Sequence, residues 1–296
     1  MAATSEIRLR RVTTAVGAVI EGLDLRSPLE PEAADFIYQA LLDHGVVFFQ
    51  GQEIDKAQYW AFMRNLGFPQ KDEIRGTDHD RPEDVESHDM APSRHATATW
   101  HADTTSLARP PKATAIRAVS VPTYGGDTCW SSMYAAWDAL SEPLRRMLDG
   151  LTAVHSMQPT FDRMQEYAQY VRSTYLARHA LEQIHPVVLT HPETGRRALY
   201  VNETFTTRIV EFSPEESAAV LAMLFRHVQR PDFTMRWHWT ANDIGIWDNR
   251  SVQHFAAPDY TTTRVMERIV LAGARPGEPE GPDVTPLKRT SETRPA

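Results

Sequence analysis

Hydrophobic residues along the chain recur with two periods. In RLRRVTTAVGAVIEGLDL they alternate around Gly17 and Gly22 as in short strands. PEAADFIYQALLDHG then places Ala33, Phe36, Ile37, Ala40 and Leu41 at helical spacing, and Gly45 ends that helix. VVFFQG (46–51) is an apolar run between turn signals, the pattern of a buried strand, and DKAQYWAFMRNLG follows as a second amphipathic helix. ATAIRAVSV (113–121) alternates as a strand, YGGDT (124–128) reads as a turn, and SMYAAWDAL with SEPLRRMLDGL gives two short helices. FDRMQEYAQYVRSTYLARHALEQI (161–184) predicts a surface helix, and HPVVLTH with ETGRRALYV predicts strands joined around Gly195. Ser213 marks a helix start, with Pro214 at the first helical position and Glu216 at the reciprocal capping position. FTMRWHWT (233–240), DIGIWD (243–248) and RVMERIVLA (264–272) alternate as strands.

Two stretches follow neither period. From Pro69 to Thr99 the chain is polar and crowded with Asp, Glu, Pro and Arg. So long a segment without a period, running straight into TWHADTT, reads as an active-site lid loop over 69–99. ARPGEPEGPDVTPLKRTSETRPA is too rich in Pro, Gly and charge to pack, so 276–296 is expected to be a disordered tail. Many strands split by a helical insert near 131–184 predict a mostly β chain with peripheral helices. This α+β architecture would be built on a β-sandwich or jelly roll and folded as a single domain over 1–275.

Composition narrows the function classes. With 296 residues, 42% hydrophobic and 24% charged, the chain can bury a sizeable core. Its 39 acidic against 31 basic residues give a formal charge of −8, which repels polyanions and argues against a nucleic-acid partner. No apolar run approaches the roughly 18 residues of a membrane span. MAATSEIRLRRV lacks the apolar stretch of a signal peptide, so a cytoplasmic protein is expected. A single cysteine, Cys129, excludes an internal disulfide framework and any multi-cysteine metal site. GxGxxG, GxxxxGK[ST] and GxSxG are all absent. A metal, if bound, must then be held by His and carboxylates.

His101 and Asp103 are two apart, a spacing that on a strand sends both side chains to one face. His254, just after a strand and a turn in DIGIWDNRSVQHFAAPDY, adds a second imidazole. Two histidines and one carboxylate make a facial triad that leaves three positions of an octahedral Fe(II) open. Zinc sites more often close a tetrahedron or keep one open position. In RVMERIVLA, Arg264, Met266, Arg268 and Val270 share one strand face. Two guanidinium groups on an inward face require anions to meet them, whereas on an outward face they would be salt-bridged and solvated.

These residues resemble the taurine dioxygenase family (TauD/TfdA type) of Fe(II)- and 2-oxoglutarate-dependent dioxygenases. The matching stretches are TWHADTT, YGGDTCW, HPETGRRALYVNETFTTRI and NDIGIWDNRSVQHFAAPDY leading to RVMERIVLAG, which together span about residues 8 to 275. The resemblance implies a double-stranded β-helix (jelly-roll, cupin-like) core in which His101, Asp103 and His254 bind Fe(II). It implies that Arg264 and Thr128 hold the distal carboxylate of 2-oxoglutarate, and that Arg268 meets the anionic group of the substrate. Thr104, Thr160, Phe161 and Phe205 would lie along the substrate pocket, while Trp130 and Trp247 read as packing residues beside the iron. The implied reaction hydroxylates a small anionic organic substrate such as a sulfonate, alkyl sulfate or aryloxyalkanoate. O2 is the second co-substrate, and succinate and CO2 are the co-products. No catalytic side chain beyond the metal ligands is implied, and a homo-oligomer of two or four copies is expected. One departure stands out. Taurine-using members carry a sulfonate-binding His in a His-Pro context between Leu66 and Thr99, where this chain reads GFPQKDEIRG, and this argues against taurine itself.

Two other classes remain open on the residues alone. A non-redox zinc hydrolase could use the same three ligands, although it gives Arg264 and Thr128 no second anion to bind. A non-catalytic jelly-roll binding protein could keep the fold, although it would not need an intact ligand set.

Overall fold

A computed structural model describes residues 6–70, 81–90, 99–163 and 182–278. The chain begins with β1 (Arg8–Arg11), β2 (Ala18–Glu21), α1 (Pro31–His44), β3 (Val46–Phe49), α2 (Lys56–Arg64), β4 (Glu86–Met90) and β5 (Ala113–Ser120). Its middle comprises β6 (Thr128–Ser132), α3 (Met133–Asp138), α4 (Glu142–Leu148), β7 (Thr152–Ser156), α5 (Gln158–Arg163), β8 (Glu182–Pro186), β9 (Val188–Thr190), β10 (Arg197–Leu199) and β11 (Thr206–Ile209). It continues with α6 (Pro214–His227), β12 (Thr234–Trp237), β13 (Ile244–Asp248), β14 (Val252–Ala256) and β15 (Arg264–Leu271).

Local chemistry sets the helix ends. Gly45 closes α1 at φ +70, where a left-handed turn lets its N–H reach the Leu41 carbonyl. At the start of α6, Ser213 and Glu216 form the expected reciprocal cap: Ser213 Oγ accepts from the Glu216 N–H, and Glu216 accepts from the Ser213 N–H.

A large sheet in the order β1-β2-β3-β13-β5-β15-β4 is buried on both faces. Its outer face, including Val47, Phe49, Ala115, Ile246 and Ile269, packs on Ile37 and Leu41 of α1 and on Tyr59, Phe62 and Met63 of α2. Its inner face, including Val46, Phe48, Trp247 and Met266, packs on Trp130, Met235, Trp239 and Val252 of the small sheet β12-β6-β14 and its continuation. Phe48 and Phe49 therefore point opposite ways into two cores, which is why VVFF reads as a continuous apolar run. A third core joins α3 and α6 to β7, β11 and the β9–β10 hairpin through Trp137, Val188, Leu199, Leu221 and Leu224. This is the mostly β jelly roll with peripheral helices expected from the sequence. Among the described residues no helix is long and apolar enough to cross a membrane.

Two local expectations change. Within the span 69–99, residues 86–90 form β4, an edge strand paired antiparallel with β15 from Arg264↔Met90 to Arg268↔Glu86. ESHDM has little intrinsic strand propensity, so the backbone ladder of β15 makes this strand. Residues 71–80 and 91–98 of that span lie outside the described residues. Of the helix expected over 161–184, the described residues up to Arg163 belong to α5, while Glu182–Pro186 pairs with β7 as a strand. Residues 164–181 of that helix, and 279–296 of the expected tail, lie outside the described residues.

Directly opposite one another in the β5–β15 ladder stand Arg117 and Glu267, both buried. The Arg117 Nη2 and Nε lie 2.7 and 2.8 Å from Glu267 Oε2, and Nη1 donates to the Ile54 carbonyl. Removing one member of such a pair leaves an uncompensated buried charge. Glu267→Ala is therefore expected to cost about 3–5 kcal/mol in denaturant unfolding, and replacing both residues with leucine is expected to recover most of it.

Candidate active site

The first two residues of the predicted triad converge through a turn. His101 makes an isolated bridge to His254 of β14, with His101 N–H to His254 O at 3.0 Å and the reverse bond at 2.7 Å. The chain then turns at 103–106, so Asp103 reaches His101's side by a bend and not by strand alternation. Thr104 takes φ +43, a left-handed conformation that β-branched residues rarely adopt, and the strain sits beside Asp103. Buried partners hold this turn: Asn202 Nδ2 donates to Thr105 Oγ1 at 3.1 Å, and His155 Nδ1 lies 2.9 Å from the same hydroxyl.

One potential ligand atom from each of His101, Asp103 and His254 lies within 4.8 Å of the others, and all three residues are buried. His101 Nδ1 lies 2.7 Å from the Thr99 carbonyl, which can only accept. The ring proton is thus on Nδ1, and Nε2 keeps its lone pair. His254 Nε2 is 3.7 Å from Asp103 Oδ1, and its Nδ1 is buried without a hydrogen-bond partner among the described residues. Burial, then the neighbouring His101 and Arg268, push the His254 imidazole down to about 3 against the opposing pull of Asp103. Burial alone would raise the Asp103 carboxyl. Arg268, the two imidazoles and the Thr114 hydroxyl outweigh it and hold the group well below the usual carboxylate range. Two imidazoles and one carboxylate form a donor set suited to a divalent metal ion, which would take the imidazoles neutral and the carboxylate ionised.

Both arginines of β15 lie on its inward side. Arg264 is 2% exposed; its Nη1 donates to the Gly126 carbonyl, its guanidinium lies 5.3 Å from the Tyr260 ring centroid, and its Nε has no partner among the described residues. Burial lowers its pKa. A buried guanidinium with a free donor is a site where an anion would be stabilised. Thr128, two residues beyond Gly126, accepts the Trp239 indole N–H at 3.0 Å and keeps its own hydroxyl proton to donate. The Gly126 carbonyl is aimed by a tight loop. Gly125 sits at φ +72, where a Cβ would come 2.3 Å from the Asp259 carbonyl oxygen, so only glycine fits. Asp259 accepts from the Gly126 N–H, and Arg236 clamps Asp259 to Asp127. Arg268, with its side chain 23% exposed, places Nη2 3.4 Å from Asp103 Oδ1.

The remaining expected pocket residues are more dispersed. The Phe205 ring centroid is 6.3 Å from that of His101, edge to face. Thr160 and Phe161 are buried in α5, and the Thr160 hydroxyl has no partner among the described residues. Trp247 packs 4.7 Å from the His254 ring and Trp130 packs 5.8 Å from Trp247, both as packing residues. Sequence reasoning missed Thr114, which donates to Asp103 Oδ2 at 2.6 Å, and Asn249, which accepts the Asp103 N–H at 3.1 Å. The available signal was the Asn after the IGIWD strand and the Thr in the strand that pairs with it, neither distinctive alone.

Comparison with known proteins places the chain in a family. The profile of the family described as taurine catabolism dioxygenase TauD, TfdA family covers residues 8–270. An alkylsulfatase from Acinetobacter baylyi is 36% identical over 281 residues, 91% of this chain and 86% of that protein. An alpha-ketoglutarate-dependent sulfate ester dioxygenase from Pseudomonas putida is 36% identical over 286 residues, 92% of this chain and 91% of its own length. The crystal structure of a taurine dioxygenase from Burkholderia xenovorans superposes with a TM-score of 0.77 at 35% identity, covering 94% of this chain and 92% of that one. With a family profile spanning nearly the whole chain and relatives of this similarity, the protein belongs to the TauD/TfdA family and is a 2-oxoglutarate-dependent dioxygenase.

Proposed function

We propose that this enzyme hydroxylates a small organic anion carrying a sulfate ester or sulfonate group, at a site where His101, Asp103 and His254 hold Fe(II). The observation that carries the reading is a buried His-Asp-His cluster served by two arginines from one strand. One is fully buried with a free donor, and the other stands at the cluster itself. Bound Fe(II), with 2-oxoglutarate and O2, supplies the oxidation of a substrate C–H bond to C–OH, with succinate and CO2 as co-products.

Arg264 and Thr128 bind the distal carboxylate of 2-oxoglutarate, the guanidinium by charge-assisted bonds and the hydroxyl by one directional bond. Arg268 takes the substrate's anionic head, and Thr104, Thr160, Phe161 and Phe205 line the path of its organic part. The apolar walls exclude water from the reacting carbon. If the hydroxylated carbon bears the ester oxygen of an alkyl sulfate, the product is a hemiacetal sulfate. Its C–O bond to sulfate breaks as the hydroxyl loses its proton, giving an aldehyde and inorganic sulfate. The sulfate ester and alkyl sulfate relatives support this choice of anion.

A panel of alkyl sulfates, alkyl sulfonates and aryloxyalkanoates, assayed for succinate, tests the proposal. Succinate formed one-to-one with aldehyde and sulfate from an alkyl sulfate is expected, whereas turnover confined to the aryloxyalkanoates would contradict it.

A further inference from the structure

We propose that Trp247, Asn249 and Thr114 form a one-way hydrogen-bond chain that fixes Asp103 so that its Oδ1 alone is presented to the metal. The inference rests on the reading of Asp103 as a ligand. All three are positioning residues: Thr114 and Asn249 act through Asp103, and Trp247 also packs against the His254 ring.

The direction of the chain follows from which groups can donate. Asn249 Oδ1 accepts the Trp247 indole N–H at 3.0 Å and the Asp103 backbone N–H at 3.1 Å. Both partners can only donate, so the atom facing them must be oxygen and the amide cannot be turned over. Its Nδ2 then faces Thr114 Oγ1 at 2.9 Å and donates to it. A hydroxyl that accepts there has its single proton left for another acceptor, and Thr114 directs it to Asp103 Oδ2 at 2.6 Å, the length of a strong charge-assisted bond. Thr114, Trp247 and Asn249 are each no more than 2% exposed, so water does not compete for these bonds.

Asn249 thus grips Asp103 at two points, directly at the backbone and through Thr114 at the side chain. Swinging Oδ2 toward the metal would break the Thr114 bond. Oδ1 stays on the side of His254 Nε2 and Arg268 Nη2, at 3.7 and 3.4 Å. The support is rigid: Thr114 is paired with Trp247 in the β5–β13 ladder, and the Asn249 N–H is bonded to the Lys112 carbonyl. A carboxylate held to one oxygen occupies one coordination position and leaves three for co-substrates, whereas a carboxylate free to chelate would take two.

The test is Co(II) titration of the full-length metal-free protein, followed by visible absorption, with thermal unfolding of each metal-free variant recorded alongside. Thr114→Val is expected to weaken Co(II) binding by about 10–100-fold and to alter the cobalt spectrum, with Thr114→Ser restoring both. Thr114→Ala is the second variant if the valine does not fold, and the same weakening is expected. An affinity and spectrum equal to wild type in Thr114→Val, with only the unfolding midpoint lowered, would overturn the proposal. Asp103→Ala separates the two levels. If Asp103→Ala loses Co(II) while Thr114→Val keeps it, the chain fails but the ligand stands. If Asp103→Ala binds Co(II) as wild type does, the ligand reading fails and the chain with it.

Discussion

His101→Ala is expected to abolish turnover and to weaken Fe(II) binding by more than about 100-fold, beyond the 10–100-fold that loss of a supporting group costs. The ring offers Nε2 to the cluster because Nδ1 is committed to the Thr99 carbonyl, so alanine removes a donor atom that neither His254 nor Asp103 can replace. The fold should tolerate the change. The bridge between His101 and His254 is made by backbone atoms and survives in alanine. Metal-free protein should therefore unfold within a few degrees of wild type, while equilibrium dialysis finds little bound iron. A packing residue would behave in the opposite way, losing about 2–5 kcal/mol of stability while the folded fraction kept its metal.

Arg264→Ala is expected to raise the dissociation constant for 2-oxoglutarate by about 30- to 4,000-fold with Fe(II) affinity unchanged. Truncating one partner of a buried, hydrogen-bonded charge pair costs about 2–5 kcal/mol, and tenfold in affinity corresponds to about 1.4 kcal/mol. Arg264 qualifies because it is 2% exposed, its carbonyl partner Gly126 carries no charge, and its Nε is left for an incoming anion. Arg264→Lys should fall between the two, since lysine keeps the charge without the planar fork. Arg268→Ala should act on the other ligand, raising the KM for the organic anion far more than that for 2-oxoglutarate. Steady-state kinetics with each substrate varied in turn separates the two. A rise in the 2-oxoglutarate KM alone for both variants would show that the division of labour between the arginines is wrong.

Much of this arrangement was legible in the sequence because its signals are local. The Ser213–Glu216 cap, the helical stripe ending at Gly45 and the common face of Arg264 and Arg268 each follow from spacing within one element. The two-apart spacing of His101 and Asp103 picked out two residues that the fold does bring together, but through a turn and not along a strand. What escaped depends on contacts distant in the chain. β4 exists because β15 offers a ladder, and β14 is hidden in VQHFA because a strand lining a polar site loses its apolar alternation. Thr114 and Asn249 are separated by 135 positions and acquire meaning only when β5 and β13 pair.

The central claim is that one metal held by His101, Asp103 and His254 takes 2-oxoglutarate beside Arg264. Anaerobic titration of 2-oxoglutarate into the Fe(II)-loaded protein tests it most directly, because chelation of the metal by the 2-oxo acid produces a visible metal-to-ligand charge-transfer band. The account predicts a saturable band in the wild-type protein, its loss in Asp103→Ala, and a midpoint shifted to much higher 2-oxoglutarate in Arg264→Ala. Folded, iron-loaded wild-type protein that develops no band, or an Asp103→Ala variant that develops the same one, would contradict it.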